Sequence, residues 1–125
     1  MGYVMLKCRK VFGFIPVPIY QTDDMSEGYG GQACLVFIKL RPKYWEDEPL
    51  IEHELTHITW AYKFLILPYY LMYKYWTYFR LRAEIAGYKK QLSCGTDINI
   101  LALRLANLYN LNITTEQAKK YIEED

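Results

Sequence analysis

Both histidines of the chain lie in one short segment, IEHELTHITW, which covers residues 51–60. Because side chains at i and i+4 of a helix are neighbours, His53 and His57 can both reach one tetrahedral Zn²⁺ at about 2.0–2.1 Å. Glu54 is angled off the same face, where it would hydrogen-bond a metal-activated water as general base and would not bind the metal. The segment therefore predicts a helix that carries two zinc ligands and a catalytic carboxylate.

The bounds of this helix are expected at Pro49 and Leu67. Acidic residues at 46–48 place negative charge at its N-terminus, where the helix dipole favours it, and Pro49 suits the first helical turn. Pro68 disfavours helical geometry in the residue before it and suits the start of a new helix. One helix is therefore predicted to end, and a second to begin, near residue 68.

The faces of the predicted helix indicate that both histidines are buried. At 100° per residue they lie on the far side from an apolar stripe, and other apolar residues flank them. The stripe consists of Ile51, Leu55, Ile58, Tyr62 and Leu65. Such a helix packs on two sides, so His53 and His57 should face an interior cleft. Without a metal, each imidazole would need its own hydrogen-bond partner, which is the structural alternative.

The rest of the chain indicates a mixed α+β order. Residues 10–20 predict an edge strand or an irregular extended segment, because Pro16 and Pro18 interrupt them. Residues 33–40, ACLVFIKL, predict one strand that pairs with the earlier segment.

Length, charge and cysteine content limit the possible functions. A chain of 125 residues is expected to be one domain, residues 1–125, that buries a single core. The formal net charge is +1 and the basic clusters are short, which argues against a nucleic-acid interface. Three cysteines without a CxxC pair favour reduced thiols and hence a cytoplasmic protein.

The aromatic segment from Phe64 to Phe79 is the unusual feature of the composition. Lys63 and Lys74 bracket an apolar stretch of only ten residues, and Pro68 divides it. A membrane span requires about 18 uncharged residues, so none is expected here. Shallow contact with a membrane surface is possible, but the absence of membrane contact is favoured.

A catalytic zinc site needs a third protein ligand, and the chain has no third histidine. Glu84 is the preferred candidate because its helical surroundings, RLRAEIAGY, are small and apolar. Gly87, one turn later, removes a side chain where another helix could approach closely. Cys94 and Asp97, near a helix boundary, are the alternatives. If Glu84 is not a ligand, it forms an ordinary surface pair with Arg80.

The motif HELTH, residues 53–57, followed by a glutamate on a second helix, resembles the gluzincin arrangement. Metzincins are excluded, because Trp60 and Lys63 stand where that family has glycine and histidine. A chain this short is similar to the minimal gluzincins, which are compact single-domain metallopeptidases, and to small zincin-like proteins encoded by phages. The resemblance covers roughly residues 30–95.

The resemblance implies a zincin-like α+β fold. Its small mixed β-sheet packs on an active-site helix and a glutamate-bearing helix, and C-terminal helices follow. It also implies a zinc metalloendopeptidase in which His53, His57 and Glu84 hold Zn²⁺ and Glu54 is the general base. A peptide or protein substrate would bind as an extended strand along the sheet edge above the helix, for which residues 33–40 are the candidate.

Several alternatives stay open. Gluzincins often carry an aspartate four residues after the glutamate ligand. Here that position is Tyr88, whose hydroxyl could contact a ligand or an oxyanion. Two helices are predicted after residue 95, the second with a capping box of Thr114 and Gln117, and we hypothesise that this tail keeps the enzyme latent. The alternative functions are a membrane-proximal zinc protein and a zinc-binding module without turnover; the oligomeric state is not indicated.

Overall fold

Four strands and five α-helices form the fold that the computed structural model describes for residues 5–124. The strands are β1 (Leu6–Val11), β2 (Ile15–Gln21), β3 (Gly31–Cys34) and β4 (Phe37–Leu40). A short 3₁₀ turn, Pro42–Tyr44, leads to α1 (Glu48–Lys63), α2 (Ile66–Tyr75), α3 (Thr77–Ser93), α4 (Ile98–Leu108) and α5 (Thr115–Glu123). The predicted α+β class is confirmed.

The strands form one mixed sheet in the order β1-β2-β4-β3. The β1–β2 and β3–β4 pairs are antiparallel, whereas β2 and β4 run parallel. β3 therefore lies at one edge of the sheet, with β4 on one side of it and α1 near the other.

The prediction of one strand over residues 33–40 is wrong, because the chain reverses at Leu35 and Val36. Leu35 has a φ of 56°, in the left-handed region that non-glycine residues seldom adopt. The segment contains no glycine, proline or asparagine, the residues from which a turn is usually predicted. Its second half, β4, does pair with β2 as expected.

The prediction of an edge strand or irregular segment over residues 10–20 is confirmed for the extended conformation but wrong for the edge position of most of these residues. These residues form the end of β1, a tight turn and β2, and β2 lies inside the sheet. Pro16 and Pro18 are tolerated there because β2 pairs with β4 only over Ile19, Tyr20 and Gln21, after both prolines.

Helix α1 begins as predicted and ends four residues earlier than predicted. The Asp47 side chain accepts a hydrogen bond from the Leu50 N–H at 3.1 Å, and Pro49 lies in the first turn. The chain then turns at Leu65, which has a φ of 61° and is 71 % exposed. Pro68 lies in the first turn of α2, where its missing N–H leaves no helical bond unmade.

Helix α1 is packed on two sides, as its pattern predicts. Ile51 and Ile58 pack with Ile38 and Leu40 of the sheet in one apolar cluster. The opposite side, which carries the histidines, faces α3.

The C-terminal helices pack on the far end of α3. Asp97 caps α4 by accepting a hydrogen bond from the Asn99 N–H, and the predicted capping box of Thr114 and Gln117 begins α5. Leu101 of α4 and other buried side chains of α4 and α5 cover Ile85 and Tyr88 of α3.

Removing the side chain of Ile38 should destabilise the fold strongly. Ile38 is fully buried between the sheet and α1, so Ile38→Ala leaves a cavity and should lower the free energy of unfolding by about 2–5 kcal/mol. Urea denaturation followed by circular dichroism measures this change. Leu103→Ala, at a position 56 % exposed on α4, is the control and should change it by less than about 0.5 kcal/mol.

Candidate metal centre

Three side-chain atoms meet between α1 and α3. Oε1 of Glu84 lies 3.0 Å from Nε2 of His53 and 3.1 Å from Nε2 of His57, and the two Nε2 atoms are 3.2 Å apart. Ligands of a tetrahedral Zn²⁺ are about 3.3 Å from one another, given bonds of about 2.0–2.1 Å. The three residues could therefore hold a metal ion after shifts of a few tenths of an ångström.

The three groups are almost completely removed from water. His53 and Glu84 are 2 % exposed and His57 is 7 % exposed. A carboxylate and two imidazole nitrogens all offer lone pairs, and buried lone pairs that face one another need a cation or a proton between them. The chemistry of the donor set thus fits a bound cation.

The pKa shifts indicate where positive charge lies when no metal is bound. Burial alone would lower the pKa of His57, but the contact with the Glu84 carboxylate outweighs burial and raises it to about 9. Burial alone would raise the pKa of Glu84, but the two imidazoles hold it well below its usual range. The Glu84 carboxylate thus favours a proton on His57, and a bound metal would take the place of that proton.

Each of the three side chains is also held at its remote atom. Nδ1 of His53 lies 2.7 Å from Oε1 of Gln91, to which it can donate, and this leaves Nε2 free to bind a metal. Nδ1 of His57 lies 2.9 Å from the Tyr69 hydroxyl. The Tyr73 hydroxyl donates to Oε2 of Glu84. Such partners fix the orientation of metal ligands before the metal arrives.

Gly87 is what allows α3 to lie against His53. A Cβ atom at position 87 would lie 2.7–2.9 Å from three atoms of the His53 ring, including Nε2 at 2.7 Å. The expectation that Gly87 permits a close approach of helices is therefore confirmed. The ring of Tyr88 covers the same imidazole edge-on, with ring centroids 4.4 Å apart.

Glu54 lies beside the three groups, but its carboxylate does not join them. Its Oε1 accepts a hydrogen bond of 3.1 Å from the backbone N–H of Ala33 in β3. Burial raises the pKa of Glu54, which is 7 % exposed. The edge of the sheet thus positions a carboxylate of raised pKa at the side of the candidate metal centre.

The other candidate ligands lie elsewhere. Cys94 is exposed at the C-terminus of α3, and Asp97 is an exposed cap of α4. Arg80 does not pair with Glu84; its Nη1 donates to the carbonyls of Tyr73 and Lys74 at the end of α2. The alternatives to Glu84 that the sequence leaves open are therefore not brought to the site.

Tyr88 contributes its ring to the site and not its hydroxyl, which lies 2.7 Å from the hydroxyl of Tyr109. Of the two roles left open for this hydroxyl, contact with a metal ligand is thus not what the structure shows, and contact with an oxyanion stays untested. The sequence interpretation instead missed Gln91, Tyr69 and Tyr73. Gln91 follows Glu84 by two helical turns on the same helix face, so the sequence pattern could have identified it as a neighbour of the site. The two tyrosines, four apart on α2, cannot be told from the other eleven by pattern.

The three groups lie in a cleft of about 360 Å³. Residues of β3 and α2 line it together with Tyr29 and Tyr109, and the Tyr29 hydroxyl donates to the carbonyl of Leu108 at 2.5 Å. Arg80 also lines the cleft, and its buried Nε has no hydrogen-bond partner among the described residues. Of the described residues after 95, Tyr109 alone lines the cleft, and α5 packs on α3 and α4 instead.

Comparisons of the chain with protein-family models, with curated proteins and with solved structures found no match. The functional interpretation therefore rests on the geometry of the cleft and on the chemistry of its side chains.

Gly87→Ala should weaken metal binding although it adds a good helix former. Helix propensity alone would favour alanine by about 1 kcal/mol, but the new Cβ would displace the His53 ring from its contacts with Glu84 and Gln91. We expect an affinity for Zn²⁺ or Co²⁺ about 10–100-fold lower, measured by competition with a chelating dye. Lys90→Ala, at an exposed position of α3, is the control. An unchanged affinity would mean that the ring moves without cost.

Proposed function

We propose that the chain is a zinc-dependent metallopeptidase of the gluzincin type. His53, His57 and Glu84 would hold Zn²⁺, and Glu54 would act as general base. The observation that carries the proposal is the convergence of two Nε2 atoms and one carboxylate oxygen, at 3.0–3.2 Å from one another, in a cleft that also contains Glu54.

The donor set favours zinc in a catalytic site. Two imidazoles and one carboxylate are the three protein ligands of a common catalytic zinc arrangement, which keeps a fourth position open. When bound, Zn²⁺ lowers the pKa of a coordinated water and polarises a peptide carbonyl.

Glu54 is suited to move a proton in this cleft. A general base works best when its pKa approaches the working pH, and burial shifts the pKa of Glu54 in that direction. Its carboxylate would take a proton from the attacking water and deliver it to the leaving amine. The Ala33 N–H fixes one carboxylate oxygen, and the other has no hydrogen-bond partner among the described residues, so it could accept a proton.

Arg80 offers a fixed positive charge to the cleft. It lines the cleft, and its Nη1 is fixed by two carbonyls at the end of α2. A fixed positive charge near developing negative charge stabilises a transition state.

The edge of β3 supports an extended peptide as substrate. Ala33 directs its N–H away from β4, toward Glu54. Gly31 lies two residues before Ala33 in the same strand, so its backbone N–H and C=O also face away from β4. A peptide laid along this edge would run past Glu54 and the candidate metal centre.

A zinc-binding module without turnover is the second candidate. The observation in its favour is the Ala33–Glu54 hydrogen bond, which gives the carboxylate a structural role in joining α1 to the sheet. The two candidates differ in whether hydrolysis accompanies zinc binding.

Metal analysis of three variants tests the ligand set. We expect a single zinc ion per chain in the wild type, and loss of that zinc in His57→Ala and in Glu84→Ala, because each removes one of three ligands. Glu52→Ala removes a carboxylate from the outer part of α1 and is the matched control. Atomic absorption after dialysis gives the stoichiometry. Retention of zinc by Glu84→Ala would remove Glu84 from the ligand set.

Glu54→Gln separates the peptidase from the binding module. Glutamine keeps the acceptor for the Ala33 N–H but cannot take up a proton, so casein hydrolysis should fall by about 10²–10⁴-fold while zinc stays bound. The control variant Glu52→Gln should retain wild-type activity. A chelator should abolish the activity of both the wild type and this control. If the zinc-loaded wild-type protein cleaves no unfolded substrate, the peptidase is ruled out and the zinc-binding module without turnover is the function that is left.

A further inference from the structure

The outer face of α2 is apolar and exposed. Leu67, Leu71 and Tyr75, spaced four residues apart on one stripe, are 64 %, 47 % and 74 % exposed. Leu65 and Trp76, which flank the helix, are 71 % and 53 % exposed. We call these five residues the α2 patch. A group of exposed apolar side chains along one helix face is typical of an interaction site.

Packing within the chain does not account for the α2 patch. The inner face of α2 is already used, since Tyr69 is buried with Phe79 and Ala83 of α3, and Tyr73 contacts Glu84. The helix is thus apolar on its packed face and on its free face. A helix that is apolar all round requires a second apolar environment.

The charges around the α2 patch select the partner. Residues 63–80 contain three basic residues, Lys63, Lys74 and Arg80, and no acidic residue. Arg80 is turned toward the end of α2, whereas Lys63 and Lys74 are exposed near the two ends of the helix. A second copy of the chain on this face would bring lysines against lysines. An anionic surface would meet them with opposite charge.

We propose that the α2 patch docks on the surface of an anionic lipid bilayer. Leu67, Leu71 and Tyr75 enter the boundary between headgroups and acyl chains, while Lys63 and Lys74 contact lipid phosphates and carboxylates. Tryptophan and tyrosine suit this boundary, because one end of each ring system is apolar and the other is polar.

The dimensions of α2 require that it lie in the plane of the membrane. Its ten residues extend about 15 Å, half the thickness of the hydrocarbon core. Within residues 5–124, no helix is long and apolar enough to cross a membrane. Since α2 also lines the cleft through Tyr69 and Tyr73, docking places the cleft beside the bilayer. The docking itself does not depend on zinc or on hydrolysis.

Vesicle co-sedimentation of the full chain tests the proposal. We expect the protein to bind phosphatidylcholine vesicles that contain phosphatidylserine. Binding to phosphatidylcholine alone should be weaker by a factor of about ten or more, because Lys63 and Lys74 then have no net negative headgroup charge to contact. The double variant Leu67→Gln/Leu71→Gln should lose at least about tenfold in binding. Its matched control, Ile100→Gln/Leu103→Gln, changes two residues of α4 that are 51 % and 56 % exposed, and should bind as wild type.

Tryptophan emission locates the contact. Trp76 is 53 % exposed in the α2 patch whereas Trp45 is 8 % exposed, so vesicles should shift the emission to shorter wavelength and Trp76→Phe should remove most of the shift. Circular dichroism verifies that each variant is folded. Equal binding to both kinds of vesicle, or equal losses in the two double variants, would overturn the proposal. So would a dimer in light scattering that Leu67→Gln/Leu71→Gln dissociates, together with no vesicle binding.

Discussion

A buried carboxylate, Glu84, lies against two imidazole nitrogens on the neighbouring helix, and the arrangement of the surrounding helices depends on this contact. An ionised carboxylate without a positive partner would be very costly at 2 % exposure. The contact therefore favours positive charge between the helices, either from a proton on His57 or from a metal ion. It also requires that α1 and α3 approach closely, which Gly87 allows.

The same requirement explains the roles of α2 and of the end of α3. α2 supplies two tyrosine hydroxyls, one to His57 and one to Glu84, and α3 supplies Gln91 to His53. Burial, followed by the nearby Glu84 charge, raises the pKa of Tyr69 and of Tyr73, so both stay neutral and keep their protons for hydrogen bonds. Three helices thus contribute the side chains that hold the donor atoms in position.

The sequence was sufficient wherever local chemistry decides the structure. Helix periodicity located α1 and its two buried faces, and the small residues around Glu84 identified it among the available acids. The sequence was insufficient where tertiary contacts override local preference. Leu35 and Leu65 adopt positive φ without glycine; the turn at Leu35 divides a predicted strand, and the turn at Leu65 displaces a predicted helix end. The tyrosine hydroxyls that contact His57 and Glu84 could not be predicted. The position of Tyr69 in the folded chain distinguishes it from the twelve other tyrosines, whereas its position in the sequence pattern does not.

The turn at Leu35 leaves β3 only four residues long, or about 13 Å. Along that length the main chain faces outward only at Gly31 and Ala33, because alternate residues bond to β4. So short a ladder would discriminate poorly among peptide sequences. Under the proposed peptidase function, selection would then fall on conformation, since a substrate segment would have to leave its own fold and become extended to pair with this edge.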